Sequence, residues 1–476
     1  MIKKLSILLQ EGKVENAALD YLSKMVRKSP FKGNVYVAGG AVRDMVRGTD
    51  PKDIDLVVAM PEGGIKFAEW ITKKIGAYKK GSNPVIFPKF GTAKFVMTGV
   101  KHNGQDLSDL DIEAVMTRKE QYRDGDRKPD VSPGTLKQDV DRRDFTVNSL
   151  LKDLTTGEIK DLTGQGKNDI KKGVVRTPLD PDVIFVEDPL RMLRAIRFTV
   201  KYGWDLPMFM IRSIKKNSRK INNISKERIR DEIDKMLVTK RPKQAMRILK
   251  LTGLLQHIMP EVQALVGVKQ GKYHDKDVWN HSLDVLEKVP PVLSKRLGAL
   301  FHDVGKKATQ QIVDDDVHFY THEKVGAKLA GAILKRLKYP TDMIKKITNN
   351  VEHHMRLKRS GDKGEEISDK ALRKVKRTIG DHLEDLLDIM DADNKAHSGA
   401  SSQDDQIAGI RMRLKDLDKD VPVNAKLPLD GKDLIKMGMK PGPEFKKMLD
   451  KVQSAVDDNP KLTKRQAMEI VKKSIE

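Results

Sequence analysis

The stretch VYVAGGAVRDMVRGTDPKDIDLVV, Val35 to Val58, decides how the first part of this chain folds. Val35-Tyr36-Val37-Ala38 is an apolar run of strand length that ends at Gly39-Gly40. A second apolar run, Leu56-Val57-Val58, is preceded by Asp53 and Asp55. Alternation along a strand puts residues i and i+2 on one face, so the two carboxylates project side by side. Two anionic groups on an otherwise apolar strand repel unless a cation lies between them, and oxygen-only ligands favour magnesium or manganese. Gly39-Gly40 lets the backbone approach a bulky group. Ala41-Val42-Arg43-Asp44 can then open a helix whose N-terminus suits phosphate. Either half alone is an ordinary turn or a solvated strand end. Joined within about 20 residues, the order strand, Gly-Gly, helix start, Asp-x-Asp strand points to metal-assisted phosphoryl transfer.

The chain has 476 residues, enough for two to four domains. With 38% hydrophobic and 33% charged residues it reads as a protein with modest cores. No apolar run approaches the roughly 18–20 residues that span a bilayer. The basic start MIKKLSILLQ is interrupted at Glu11, which argues against a signal peptide. The absence of cysteine excludes disulfides and thiolate metal sites and suits a reducing, cytoplasmic setting. The net charge of +23 points to a polyanionic partner, nucleic acid before membrane, since no basic amphipathic helix with Trp or Phe stands out.

Outward from the opening stretch, Val85–Phe87, Ala93–Met97 and Asp111–Val115 read as strands, with Phe90-Gly91-Thr92 as a turn. Asp111 and Glu113 share a face, so either is a candidate third carboxylate. Residues 118–139 lack hydrophobic periodicity and hold two prolines and two glycines, which reads as a loop. In VDRRDFTVNSL, the adjacent Arg142 and Arg143 are fork-shaped donors matched to phosphate oxygens, and Asp144 can accept from ribose hydroxyls. In EDPLRMLRAIRF, Asp188 can cap a helix that starts at Pro189, with Arg191 three residues on along one face. Such a carboxylate can accept from the exocyclic amine of cytosine or adenine while arginine donates to the ring acceptors. Uracil or guanine would leave the carboxylate unpaired, at about 1–3 kcal/mol if buried. Ser225 precedes a further helix, and Arg212, Lys215, Lys216, Arg219 and Lys220 form a basic run suited to RNA phosphates.

GGAVRD followed by DIDLVV resembles the catalytic signature of polymerase-beta-like nucleotidyltransferases, and within them the class II tRNA nucleotidyltransferases and bacterial poly(A) polymerases. RRDFTVNSL resembles the second motif of that family, with Ser149 where alanine is usual. EDPLR resembles its nucleotide-selecting motif, and Ser225-Lys226-Glu227-Arg228-Ile229-Arg230-Asp231-Glu232 resembles the motif that braces its neck helices. The resemblance implies two magnesium ions at the catalytic Asp53 and Asp55. It also implies a nucleotide site made of Gly39, Gly40, Arg43, Arg142, Arg143, Asp144, Asn148, Asp188, Arg191, Arg194 and Arg197. The reaction expected from it is addition of C and A from CTP and ATP to a tRNA 3′ end, with the acceptor arm gripped by shape and phosphates.

Most histidines lie between His274 and His397. Imidazoles and carboxylates from separate helices make a transition-metal site, and the set His281, His302-Asp303 and Asp393 resembles the HD-superfamily phosphohydrolases. That implies nickel or manganese there and hydrolysis of a phosphoester. His322, His353 and His354 match positions that complete or flank the centre in some members. The lysine-rich tail, broken at Pro441-Gly442-Pro443, looks like that of bacterial CCA-adding enzymes. The expected fold class is α+β, a mixed-sheet head followed by an all-α neck, HD body and tail. The expected boundaries are an N-terminal extension over 1–24, a head over 25–155, a neck over 156–265, a body over 266–400 and a tail over 401–476. Rival readings are a poly(A) polymerase, a CC- or A-only adding enzyme, and an HD phosphohydrolase whose head merely binds RNA.

Overall fold

The computed structural model describes residues 12–77, 81–121, 130–270, 276–357, 367–396, 406–420 and 426–475. The chain divides into two compact units, Met1–Met236 with Arg247–His257, and Leu237–Met246 with Ile258–Glu476.

The first unit is built on β1 (Val35–Ala38), β2 (Ile54–Val58), β3 (Val85–Phe87), β4 (Thr92–Val96), β5 (Lys101–His102), β6 (Gln105–Asp106), β7 (Asp111–Met116), β8 (Arg118–Gln121), β9 (Asp130–Pro133), β10 (Leu151–Asp153) and β11 (Ile159–Lys160). Seven of them form one mixed sheet in the order β11-β10-β1-β2-β7-β4-β3. The apolar runs occupy its centre, where Val35, Val37, Leu56, Val57 and Val58 are fully buried. β1 and β2 are antiparallel with Ala38 opposite Asp55, so the Gly39-Gly40 turn lies beside that aspartate. β2 and β7 are parallel with Asp55 opposite Glu113. The helix Gly63–Lys74 covers the sheet through Phe67, Ala68 and Ile71. Its approach depends on Gly64, where a Cβ would lie 2.3 Å from the Ala114 carbonyl oxygen and 2.6 Å from that of Gly91. Backbone cannot yield as a side chain does, so Gly64→Ala is expected to cost about 1–3 kcal/mol, read as a lower urea midpoint at unchanged slope.

Two parts depart from the sequence reading. The helical extension expected over 1–24 is a helix over Lys13–Arg27, and beyond that expectation it buries Ala17, Ala18, Leu19, Leu22 and Val26. Residues 1–11 lie outside the described residues. Segment 118–139 is not simply a loop. β8 pairs antiparallel with β9 from Arg118 opposite Pro133 to Gln121 opposite Asp130, and Leu136–Asp141 is a helix capped by Thr135. Its strands carry polar residues, so hydrophobic alternation could not show them; residues 122–129 lie outside the described residues.

Past β11 this unit is helical. Leu190–Tyr202 buries Leu193, Ile196 and Val200, and Phe198 packs on Phe145 at 5.3 Å between ring centroids. Lys226–Leu237 starts immediately after Ser225.

Among the described residues, the regular structure of the second unit is helical apart from the hairpin β12 (Gln311–Val313) and β13 (Asp316–His318). Val285, Val289, Ala299, Ile389, Ala392 and Ala396 join the helices Val278–Lys288, Leu293–Phe301 and Leu383–Asn394 in one core. The tail has its own cluster, Leu429, Leu434, Met448, Val452, Ala467 and Val471. Within the tail Pro443 opens the helix Pro443–Asp458 with Gly442 before it, as the Pro-Gly-Pro break implies. Among the described residues no helix is long and apolar enough to cross a membrane.

Candidate nucleotide site and histidine–aspartate centre

A cavity of about 470 Å³ in the first unit is lined by Gly39, Gly40, Arg43, Asp55, Arg142, Arg143, Asp144, Asn148, Asp188, Arg191, Arg194, Arg197, Tyr202 and Arg228, among others. Seven arginines and Lys201 share the lining with three aspartates, an excess of cations that suits a polyphosphate. Every residue the sequence reading assigned to nucleotide binding lies on this one wall. Asp53 does not line it; it sits exposed just before β2, close enough to act on the charge of Asp55.

The glycine turn sets the floor. Gly39 has φ +67° and ψ −133°, a conformation that side chains resist, and a Cβ there would lie 3.7 Å from both Asp55 Oδ2 and the Arg143 guanidinium. Partial burial, and then the Glu113 carboxylate on the adjacent strand, push the Asp55 carboxyl above its ordinary range, with Arg143 pulling the other way. Lys94 reaches Glu113 at 3.7 Å. The choice left open between Asp111 and Glu113 therefore falls on Glu113 by register. Three carboxylates, one raised by the others, are a donor set that a divalent cation fits.

The polar residues of the wall hold one another. Arg43 is buried, donating to Asn148 Oδ1 at 2.7 Å and to both carboxylate oxygens of Asp44. Asn148 in turn donates to Asp144 Oδ1 at 2.9 Å, and Arg194 donates to Asp144 Oδ2 at 2.6 and 2.9 Å. Burial raises the Asp144 carboxyl, but Arg194 and Asn148 more than offset it, and it titrates below the usual range. Arg142 and Arg143 both donate to the buried Asp139, at 2.6 Å and 2.9 Å. Arg197 donates to Glu232 at 2.6 Å, which ties the 225–232 motif to the helix that carries Arg191.

Asp188 lies between the helices Pro181–Glu187 and Leu190–Tyr202, and its carboxylate accepts from the Leu190 N–H at 3.1 Å. Pro189, not Asp188, is the N-cap of that helix, so Asp188 lies one residue further out than the sequence reading placed it. Asp188 and Arg191 take separate partners. Asp188 pairs with Arg228 at 3.1 Å, while Arg191 pairs with Glu187 at 3.1 Å and donates to the Arg142 carbonyl at 2.7 Å. The sequence reading placed Arg228 only in a bracing motif and gave Glu120 no role. Glu120 on β8 receives a 3.1 Å bond from Arg142, so the hairpin reaches the cavity wall. No spacing signal announces a contact between residues 22 apart in a polar segment.

In the second unit a separate buried cluster gathers His281, His302, Asp303, His322, His354 and Asp393, all at 6% exposure or less. His281 Nε2 lies 2.9 Å from Asp393 Oδ1, and His302 Nε2 lies 3.1 Å from Asp303 Oδ2. The four residues expected to form the centre are thus together. Asp303 is held charged despite burial, chiefly by His302 and Lys306. His353, although buried, is outside the ligand groups among the described residues. Gly305 allows the close packing here, since a Cβ on it would meet the His322 carbonyl oxygen at 2.2 Å. His302 Nε2 is a buried polar atom with no hydrogen-bond partner, which a metal ion would satisfy.

Comparison with known proteins matches three family models along the chain. Residues 35–176 match the poly A polymerase head domain, 210–265 the probable RNA and SrmB-binding site of polymerase A, and 278–399 the HD domain. The chain is 30% identical to a multifunctional CCA protein of Vibrio parahaemolyticus over 79% of its own length and 89% of the relative's. It is 29% identical to a CC-adding tRNA nucleotidyltransferase of Thermus thermophilus, over 91% and 92% of the two chains. Among solved structures, the Bacillus stearothermophilus CCA-adding enzyme in complex with CTP shares the fold with a TM-score of 0.66 at 21% identity, over 97% of this chain and 98% of that one. The chain is an enzyme of the class II tRNA nucleotidyltransferase family, the CCA-adding enzymes, and carries an HD domain.

Proposed function

We propose that the chain adds the CCA end to tRNA from CTP and ATP, without a nucleic-acid template. The observation that carries this reading is the arginine-lined cavity whose lining includes Asp55, Asp188 and Arg191. Its volume is within the range of small-molecule sites. Arg43, Arg142 and Arg143 take the triphosphate, with Gly39 and Gly40 giving the room, and Asp144 with Asn148 holds the ribose. Arg194 and Arg197 hold the wall in place through Asp144 and Glu232. Asp188 accepts the exocyclic amine of the base and Arg191 donates to its ring acceptors. Arg228 pairs with the Asp188 carboxylate at 3.1 Å, and both residues line the cavity. When bound at Asp53 and Asp55, with Glu113 beside them, two magnesium ions supply Lewis-acid activation of the 3′-hydroxyl and charge neutralisation at the leaving pyrophosphate. The head over 25–155 does this chemistry, and the basic residues of the neck and the tail over 401–476 take the tRNA acceptor arm.

The HD centre over 266–400, with His281, His302, Asp303 and Asp393 as ligands, is a second active site for phosphate or 2′,3′-cyclic phosphate ends of RNA. A divalent transition metal there supplies activation of water. Addition of CC or of A alone is a second reading, favoured by relatives named for those partial activities, the Thermus protein above and an A-adding enzyme of Deinococcus radiodurans at 27% identity over 88% of this chain and 91% of the relative.

One assay separates these readings. Purified protein is given tRNA ending before C, after CC or with a full CCA end, and each labelled nucleotide in turn. Full CCA addition incorporates C on the first and A on the second. Long A tracts, or no incorporation at all, would count against the proposal. With Asp188→Ala, selection of CTP over UTP is expected to fall by about 10–200-fold, the worth of 1–3 kcal/mol at a base-reading contact.

A further inference from the structure

The helix Leu190–Tyr202 ends at Gly203, whose φ is +71° and whose N–H donates to the Thr199 carbonyl at 2.8 Å. That turn brings Trp204 back onto Tyr202, and the two rings stack with centroids 4.6 Å apart and planes 27° apart. Phe198, one helical turn earlier, lies 5.6 Å from Tyr202 between centroids. Three cations gather on the Tyr202 ring: the Arg47 guanidinium 4.4 Å from the centroid, the Lys201 ammonium at 5.0 Å and the Arg43 guanidinium at 5.1 Å. Arg43 also stands over Phe198 at 5.3 Å. We propose that Tyr202, stacked on Trp204 with Phe198 beside it, is the positioning residue for Arg43, the platform that sets the angle at which this guanidinium meets a triphosphate. This rests on the reading above that Arg43 takes the triphosphate.

A ring suits that task where a further carboxylate would not. Asp44 and Asn148 already take three of the five guanidinium N–H groups of Arg43, Nε and Nη2 donating to the Asp44 carboxylate at 2.9 and 2.8 Å and Nη1 to Asn148 Oδ1 at 2.7 Å. Each terminal nitrogen keeps one more N–H, and that edge of the guanidinium lies beside Gly40, where a Cβ would stand 3.5 Å from Nη2 and 3.9 Å from Nη1. A second carboxylate would compete with phosphate for those N–H groups and cancel the charge. An aromatic face attracts the guanidinium through its quadrupole and leaves both the charge and the in-plane N–H groups to the ligand. The cations around the ring repel one another, and Asp44, which also pairs with Arg47 at 3.4 Å, offsets part of that. Arg43, Phe198, Lys201 and Tyr202 line the cavity, whereas Arg47 and Trp204 contact the ring without joining the lining.

Full-length protein is assayed with the nucleotide it adds, CTP or ATP, and with inorganic tripolyphosphate, which has neither base nor sugar, as the competing probe. Tyr202→Leu keeps apolar bulk and removes the ring. It is expected to raise KM for the nucleotide and the inhibition constant of tripolyphosphate by the same factor, about 10-fold, and to leave kcat within about twofold. Tyr202→Phe, which keeps the ring, is expected to recover most of that loss. In an Arg43→Ala background Tyr202→Leu is expected to add little, since the two residues act as one unit. A Tyr202→Leu protein that matches Tyr202→Phe overturns the proposal, because packing alone then suffices. A full further loss on top of Arg43→Ala overturns it too, since Tyr202 would then act on the nucleotide directly. So does a rise in KM with tripolyphosphate inhibition unchanged. Normal tripolyphosphate inhibition in Arg43→Ala removes the triphosphate role of Arg43 itself, whereas inhibition weakened by Arg43→Ala but not by Tyr202→Leu removes only the aromatic platform.

Discussion

Asp55→Asn is expected to abolish incorporation of both CTP and ATP, by at least about 10³-fold, the consequence of losing several kcal/mol of charge stabilisation in the transition state. The same change is expected to raise the melting temperature of the metal-free protein at pH 7. Partial burial and Glu113 push the Asp55 carboxyl up, so the fold disfavours its charged form. A carboxyl with a raised folded-state pKa costs stability when ionised, and that cost disappears as pH falls through the raised value. Neutral asparagine removes the cost at pH 7, and magnesium offsets it in the parent. The stabilising effect of Asp55→Asn should therefore shrink at lower pH and in added magnesium. Rapid-quench incorporation on tRNA lacking its 3′ end, together with thermal melts at two pH values, reads both effects. Retained incorporation would remove Asp55 from the chemistry. A lower melting temperature would mean that the aspartate serves packing rather than cation binding.

The second large effect is expected at His302. Its ring is pinned by the Ala299 carbonyl and its Nε2 faces Asp303 and Asp393 with no hydrogen-bond donor. His302→Ala should lower hydrolysis of 2′,3′-cyclic nucleotides by more than about 100-fold, since changes outside the ligand set already cost 10–100-fold at such centres. CTP incorporation should be unchanged, because among the described residues the lining of the cavity around Asp55 belongs to the first unit. Loss of both activities would point to misfolding, which circular dichroism detects. Hydrolysis that survives would refute the HD centre as its source.

These two experiments act on features of different legibility. The paired strands around Gly39-Gly40 and Asp53-Ile54-Asp55 are local, and period-two alternation with a glycine break is visible in a single chain. Arg142 and Arg143 stand out in the sequence as a dense polar pair amid apolar positions, and the structure puts both on the cavity lining. The strand pairing of β8 with β9 was not legible, because the side chains of Arg118-Lys119-Glu120-Gln121 carry no hydrophobic period. Its place is instead set by backbone pairing and by the ion pairs that Glu120 makes with Arg118 and Arg142. Likewise Asp188 and Arg191 suggest an i,i+3 pair by spacing, but packing gives Arg228 to the first and Glu187 to the second.

By itself the sequence pointed to the chemistry of the head and to the α+β order of its elements, through residue type and short spacing that chain geometry makes readable. The four residues of the histidine–aspartate set, spread over 112 positions, came instead from the resemblance to HD-superfamily phosphohydrolases. The tertiary structure alone decided which third carboxylate stands beside Asp55. That is a matter of parallel register between strands more than fifty residues apart, and it selects Glu113. It also decided that His322 and His354 join the centre while His353 does not. Adjacent residues at a helix end point in different directions, and only the Val351 carbonyl and the opposing Asp303 fix which of the two imidazoles turns inward.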